Sequence, residues 1–108
     1  MSNSPLERRF FRDWQLLYPN IELIPEYKGI EGRRFQFDFA EPKSKVAIEI
    51  QGGIYNRKSA HSSVTGLERD YEKINLAQAQ GWRVFQLSAK MITPKWITII
   101  GEAINAQK

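Results

Sequence analysis

Two neighbouring stretches constrain the fold more than anything else in the chain. They are Arg33-Arg34-Phe35-Gln36-Phe37-Asp38-Phe39-Ala40 and Lys45-Val46-Ala47-Ile48-Glu49-Ile50-Gln51-Gly52-Gly53. Both alternate apolar and polar residues, the period of a strand with one buried face. Phe35, Phe37 and Phe39 share one side, with Arg34, Gln36 and Asp38 on the other. Val46, Ile48 and Ile50 share a side, opposite Lys45, Ala47, Glu49 and Gln51. A turn at Glu41-Pro42-Lys43-Ser44 folds the two into a hairpin whose register sets Asp38 opposite Ala47 and Gln36 opposite Glu49. Asp38 and Glu49 then become diagonal neighbours on one face. Two carboxylates so placed repel each other unless a cation lies between them. The pair is a candidate metal site.

The remaining pattern is that of one continuous domain spanning residues 1–108. Ser4-Pro5-Leu6-Glu7 is a helix start, with Ser4 as cap, Pro5 in the first turn and Glu7 reaching back. Leu6, Phe10, Trp14 and Leu17 follow at helical spacing until Tyr18-Pro19-Asn20 ends the run. Ile21 to Tyr27 reads as a short strand interrupted by Pro25. A loop is expected from Gly52 to Gly66. A helix from Leu67 to Gln80 follows, with Leu67, Tyr71, Ile74 and Ala77 or Gln78 inward and Gly81 closing it. Trp82 to Leu87 is a further strand, and Thr93-Pro94 opens a last helix carrying Ile97, Ile100 and Ile104. The order is helix, three strands, helix, strand, helix, so the expected class is α/β, a mixed four-stranded sheet covered by helices.

Composition narrows the chemistry. The chain has 108 residues, no cysteine and one histidine. Thiolate sites and a multi-histidine zinc site within one subunit are therefore excluded, and any metal is held mainly by oxygen. No apolar run approaches a membrane span and the N-terminus lacks a signal pattern, so a cytoplasmic location is expected. A net charge of +4 suits a polyanionic partner without demonstrating one.

The order of these elements, with Arg34 to Ala40, Ala47 to Gly53, His61, Arg69-Asp70-Tyr71-Glu72-Lys73-Ile74-Asn75 and Gly81-Trp82-Arg83-Val84 in their places, resembles the PD-(D/E)xK nuclease superfamily. The likeness runs from about Glu7 to Leu87 and is closest to the small branch of very-short-patch-repair-type and phage or intron-encoded endonucleases. It implies a restriction-endonuclease-like core and a metal-dependent DNA endonuclease. It also implies Asp38 as the motif aspartate and Glu49 as the first acid of the (D/E)xK element. The family's lysine falls at Gln51, a departure. Lys73, on the following helix, stands where a migrated lysine would, and its loss is expected to cost rate but little stability. Glu7 matches a first-helix acid that some members add to the metal shell. Magnesium, with manganese as a substitute, would take oxygens from Asp38, Glu49 and the carbonyl of Ile50.

Each residue also has a plainer reading. The cap pattern explains Glu7 by itself, and Gln51 can simply end its strand by hydrogen bonding. Lys73 can pair with Asp70 at i, i+3. His61, read as a proton donor or orienter, can equally be incidental. Tyr55, Arg57 and Lys58, with Arg33 and Arg34, are read as DNA-binding, against the alternative of a solvated loop. Two further functions stay open: a nucleic-acid-binding or assembly module on the same scaffold, and a structure-selective, junction-resolving nuclease. A homo-oligomer is expected, since cutting both strands commonly needs two active sites.

Overall fold

The computed structural model describes residues 4–51 and 60–106, and of residues 60–65 the backbone only. Helix α1 (Pro5–Leu17) starts at Ser4, whose hydroxyl accepts from the Glu7 amide at 3.4 Å. Pro5 sits in the first turn, where a missing N–H costs nothing. Phe10 and Trp14 are fully buried, four residues apart on one stripe. Leu17, expected on that stripe, is 45% exposed, because the helix ends there. Tyr18 takes its place, packing on Trp14 with ring centroids 5.0 Å apart and donating its hydroxyl to the Thr98 carbonyl.

Four strands form one sheet in the order β1 (Ile24–Tyr27), β2 (Phe37–Glu41), β3 (Val46–Ile50) and β4 (Arg83–Leu87). The first two pairings are antiparallel and β3–β4 is parallel, with helix α2 (Ala60–Ala79) as the crossover that parallel strands need. Gly81, at φ +91°, ends the run into β4, and the Trp82 amide donates back to the Ala77 carbonyl. A short 3-10 turn, Ala89–Met91, leads to α3 (Pro94–Asn105), capped by the Thr93 side chain. The fold is α/β, a mixed four-stranded sheet flanked by helices, as the element order predicts. Among the described residues no helix is long and apolar enough to cross a membrane.

Three expectations need correction. First, the hairpin turn is Pro42 to Lys45, with Lys45 at φ +57° and Glu41 still paired to Val46. The register therefore shifts by two residues: Ala40, not Asp38, lies opposite Ala47. An even shift keeps every side chain on its face. Second, the alternation of Phe35, Phe37 and Phe39 breaks at Asp38. Phe39 belongs to the core beneath α1 and α3, whereas Phe37 packs with Trp82 in the other core cluster. Glu26, at φ +53°, sits between the paired residues Pro25 and Tyr27 on the neighbouring edge strand, so the ladder is irregular at this point. Third, α2 begins at Ala60, so residues 60–66 are helix rather than loop. Its expected inward residues Leu67 and Tyr71 are 38% and 62% exposed, while Ala77 is fully buried. A helix of 20 residues runs about 30 Å against about 17 Å for a five-residue strand. It is therefore longer than the strands it crosses, and Leu67 and Tyr71 line an open cavity with Gln51 and Gln86 instead of packing into the core.

The two faces differ. One carries the main core of Phe10, Trp14, Phe39, Val46, Ile48, Leu87, Ile97, Ile100 and Ile104. The other, under α2, holds Ile30, Phe37, Ala40, Ala47, Ala77 and Trp82. Strand β3 lies between them, buried from Val46 through Glu49, which makes Glu49 an acid in a central strand.

Candidate active site

The regular ladder between β2 and β3 runs from Glu41–Val46 to Phe39–Ile48. One residue further on, Asp38 comes opposite Glu49, and side chains take over the hydrogen bonding. The Asp38 amide donates to Glu49 Oε2 at 2.9 Å. The Ile50 amide donates to Asp38 Oδ2 at 2.7 Å. Each acid thus accepts a backbone N–H from the opposite strand. The expected diagonal pair is in fact a directly opposed one.

Lys73 completes the group from α2. Its ammonium donates to Glu49 Oε1 at 2.6 Å and to the carbonyl of Gln36, and lies 5.8 Å from the Phe37 ring centroid. The side chains of Lys73 and Glu49 are only 13% and 10% exposed. This pair is nearly dry. The plainer reading, a surface bridge from Lys73 to Asp70, is not what forms among the described residues. The expectation that losing Lys73 costs little stability is also revised, because its removal leaves a buried carboxylate without its cation.

The electrostatics follow from that burial. Asp38 is pushed up from 3.8 to about 7, first by desolvation and then by the charge of Glu49; the Ile50 N–H opposes the rise, the charge of Glu7 adds to it, and Lys73 works against it. Burial also raises Glu49, outweighing the Lys73 charge and hydrogen bond and the Asp38 N–H, while the charge of Asp70 adds to the rise. Two acids at this spot resist being charged together.

The other expected residues divide. Glu7 lies on α1, half-buried, close enough for its charge to act on Asp38. Ile50 meets Asp38 through its amide, a donor, rather than through the expected carbonyl. Gln51 turns away from the acids: its Nε2 donates to Gln86 Oε1 at 3.1 Å, and its amide donates to the Leu87 carbonyl. Gln51 and Gln86 also line a cavity of about 360 Å³ with Leu67, Asp70, Tyr71, Ile74 and Asn75. Arg33 pairs with Glu72 and stacks over Phe35, and Arg34 is exposed nearby. Tyr55, Arg57 and Lys58 lie outside the described residues, and so does the side chain of His61, whose backbone is in α2.

Sequence reasoning did not foresee the Gln36 carbonyl as a second acceptor for Lys73, or Glu72 as the partner of Arg33. Both link residues 37 or more positions apart, and no local spacing encodes such pairs.

The donor chemistry suits a hard divalent cation. Asp38 Oδ1 accepts no hydrogen bond among the described residues, and a cation beside it would offset the burial and the Glu49 charge that raise Asp38. Among the described residues no three His, Cys, Asp or Glu side chains converge in metal-binding geometry. Magnesium retains several waters, so two carboxylates are a sufficient protein contribution. No family model, curated protein or solved structure matches the chain.

Proposed function

We propose that this chain is a magnesium-dependent DNA endonuclease of the PD-(D/E)xK kind. The observation that carries the reading is the Asp38–Glu49 pair, opposed on adjacent strands and capped by the Lys73 ammonium in a nearly dry setting. A surface that only binds phosphate gains nothing from a buried acid opposed to a half-buried one, and an acid pair that resists ionisation is a mark of functional sites. Asp38 and Glu49 would hold the ion, with Glu7 adding negative charge from α1. When bound, magnesium neutralises phosphate oxygens and lowers the pKa of a coordinated water. Lys73 is fixed at two points, by Glu49 and by the Gln36 carbonyl, so its charge needs no reorganisation to stabilise an anionic transition state. It thereby takes the part that lysine plays at the position of Gln51 in the family.

One observation favours a second reading, a nucleic-acid-binding or assembly module. Gln51 carries no charge and is engaged with Gln86, while the acids already satisfy backbone donors across the hairpin. Plasmid nicking in magnesium against chelator separates the two. The nuclease reading expects nicking in magnesium, its loss to background in Asp38→Asn and Glu49→Gln, and DNA binding that is unchanged or tighter as negative charge is removed. Wild-type cutting by either variant sinks the assignment. Binding without any nicking by the parent protein selects the module.

A further inference from the structure

Away from the acid pair, positive charge gathers where the segment after β1 passes the middle of α2. Gly32, Arg33, Arg34, Phe35 and Arg69 line an open concavity of about 430 Å³. Gly32 turns the chain at φ +82°, a conformation L side chains rarely adopt, and the two arginines that follow it line the same space. The Arg33 guanidinium lies 4.6 Å from the Phe35 ring centroid and pairs with Glu72, three residues along α2 from Arg69. Arg34 and Arg69 make no hydrogen bond or ion pair among the described residues. Three guanidiniums against one carboxylate leave the concavity with excess positive charge.

We propose that this concavity binds a backbone phosphate of the nucleic acid, and that Glu72 is its internal stand-in, holding the Arg33 fork in place until the strand arrives. The inference rests on the nucleic-acid reading above. A carboxylate and a phosphate present the same pair of oxygens to a planar guanidinium, so one can replace the other in register. The Arg33 and Glu72 side chains are 39% and 51% exposed. An exposed pair of that kind contributes little to stability, and exchange for phosphate is therefore easy. Stacking on Phe35 keeps the Arg33 side chain ordered through the exchange. The open shape suits a polymer backbone passing over it, since a free phosphate would find few enclosing walls.

The concavity is also tied to the acids. The segment 33–36 is held to α2 at both ends, by Arg33 to Glu72 and by the Gln36 carbonyl to Lys73. Lys73 in turn holds Glu49. A strand gripped at Arg33, Arg34 and Arg69 is thus positioned by the same two segments that carry the candidate catalytic lysine.

The test is equilibrium binding of a fluorescein-labelled DNA duplex by anisotropy, in chelator and across a salt series, so that no chemistry contributes. Arg69→Ala and Arg34→Ala should each weaken binding about threefold or more and flatten the logarithmic salt slope by about one. Glu72→Gln should tighten binding by about twofold or more, since it removes the competing carboxylate and its repulsion of phosphate. All three positions are exposed, and thermal melts verify that each variant is folded. Wild-type affinity and slope in Arg69→Ala overturn the proposal, as do unchanged or weaker binding in Glu72→Gln and a parent protein that does not bind duplex. A protein that behaves as expected in chelator but never nicks in magnesium loses the nuclease reading and keeps this one. Normal cutting with indifferent arginine variants does the reverse.

Discussion

The two faces of the sheet are made by the same four strands and yet are built for different ends. Beneath α1 and α3 the strands present Phe39, Val46, Ile48 and Leu87 to Phe10, Trp14, Ile97, Ile100 and Ile104, a large core of aliphatic and aromatic side chains. Beneath α2 they present Ala40 and Ala47, then the Asp38–Glu49 pair with Lys73 above it. Small residues on that side let α2 approach closely enough for a lysine to reach a central strand. Burying acids costs stability, and a protein can carry that cost on one face when the other supplies a surplus. The contrast teaches that the α1/α3 face makes the fold and the α2 face uses it.

The contrast breaks most visibly at Trp14. Its ring is fully buried against Phe10 and Tyr18, and its Nε1 donates to the Ile21 carbonyl at 2.9 Å. Trp14→Ala leaves a cavity and an unpaired acceptor, and should cost about 3–5 kcal/mol in denaturant unfolding. Any DNA cleavage should persist in the fraction that stays folded. A loss under about 1 kcal/mol would mean that this face is not the main source of stability.

Lys73→Met is the matching change on the other face. If Lys73 serves the transition state, single-turnover cleavage should fall on the order of 10²-fold. Stability should fall by about 1–3 kcal/mol near neutral pH, because Glu49 loses its cation while staying buried. The stability loss should shrink on acidification, where Glu49 can take a proton instead. Near-normal cleavage would reduce Lys73 to a structural ion pair and move the catalytic burden to Gln51 and His61.

The two faces were not equally legible in the sequence. Phe10 and Trp14 at i, i+4, and Ile97, Ile100 and Ile104 at helical spacing, announce the α1/α3 core, because amphipathic periodicity is a local signal. On the other face the pairing of Asp38 with Glu49 survived an error in register only because the error was even. Residues 60–66 of α2 read as loop, because Gly66 and the polar residues before it resemble one. Leu67 and Tyr71 fit an inward stripe, but they face an open cavity beside Gln51 and Gln86 rather than a packed core. The break in alternation at Asp38 was invisible, since it depends on an edge-strand irregularity at Glu26 and on carboxylates replacing ladder bonds. What was legible was local periodicity. What was not depended on where distant segments meet.

The smallest effect, and the one that most directly separates the faces, lies in the pH dependence of stability without metal. Asp38 titrates near 3.8 in the unfolded chain and near 7 in the folded one. Between those values the folded protein holds a proton that the unfolded chain has released. The stabilisation tied to that proton is complete below the lower value and is lost as pH rises through the upper one. Glu49, also raised, acts in the same direction. Glu72 is lowered by its Arg33 partner, but the pair is exposed and its window lies below 4.5, so screening leaves it a minor opponent. In chelator the melting temperature should therefore fall by at least a few degrees between about pH 5.5 and about pH 8, and Asp38→Asn should flatten that slope. Trp14→Ala, by contrast, should lower the whole curve without changing its shape, because an indole carries no group that titrates in this range. Magnesium should stabilise the protein at the higher pH far more than at the lower, where a proton already occupies the cation's place. A wild-type curve that rises across this interval, matched by Asp38→Asn, would mean that the acid pair is not strained in the free protein, and the contrast between the faces would lose its electrostatic half.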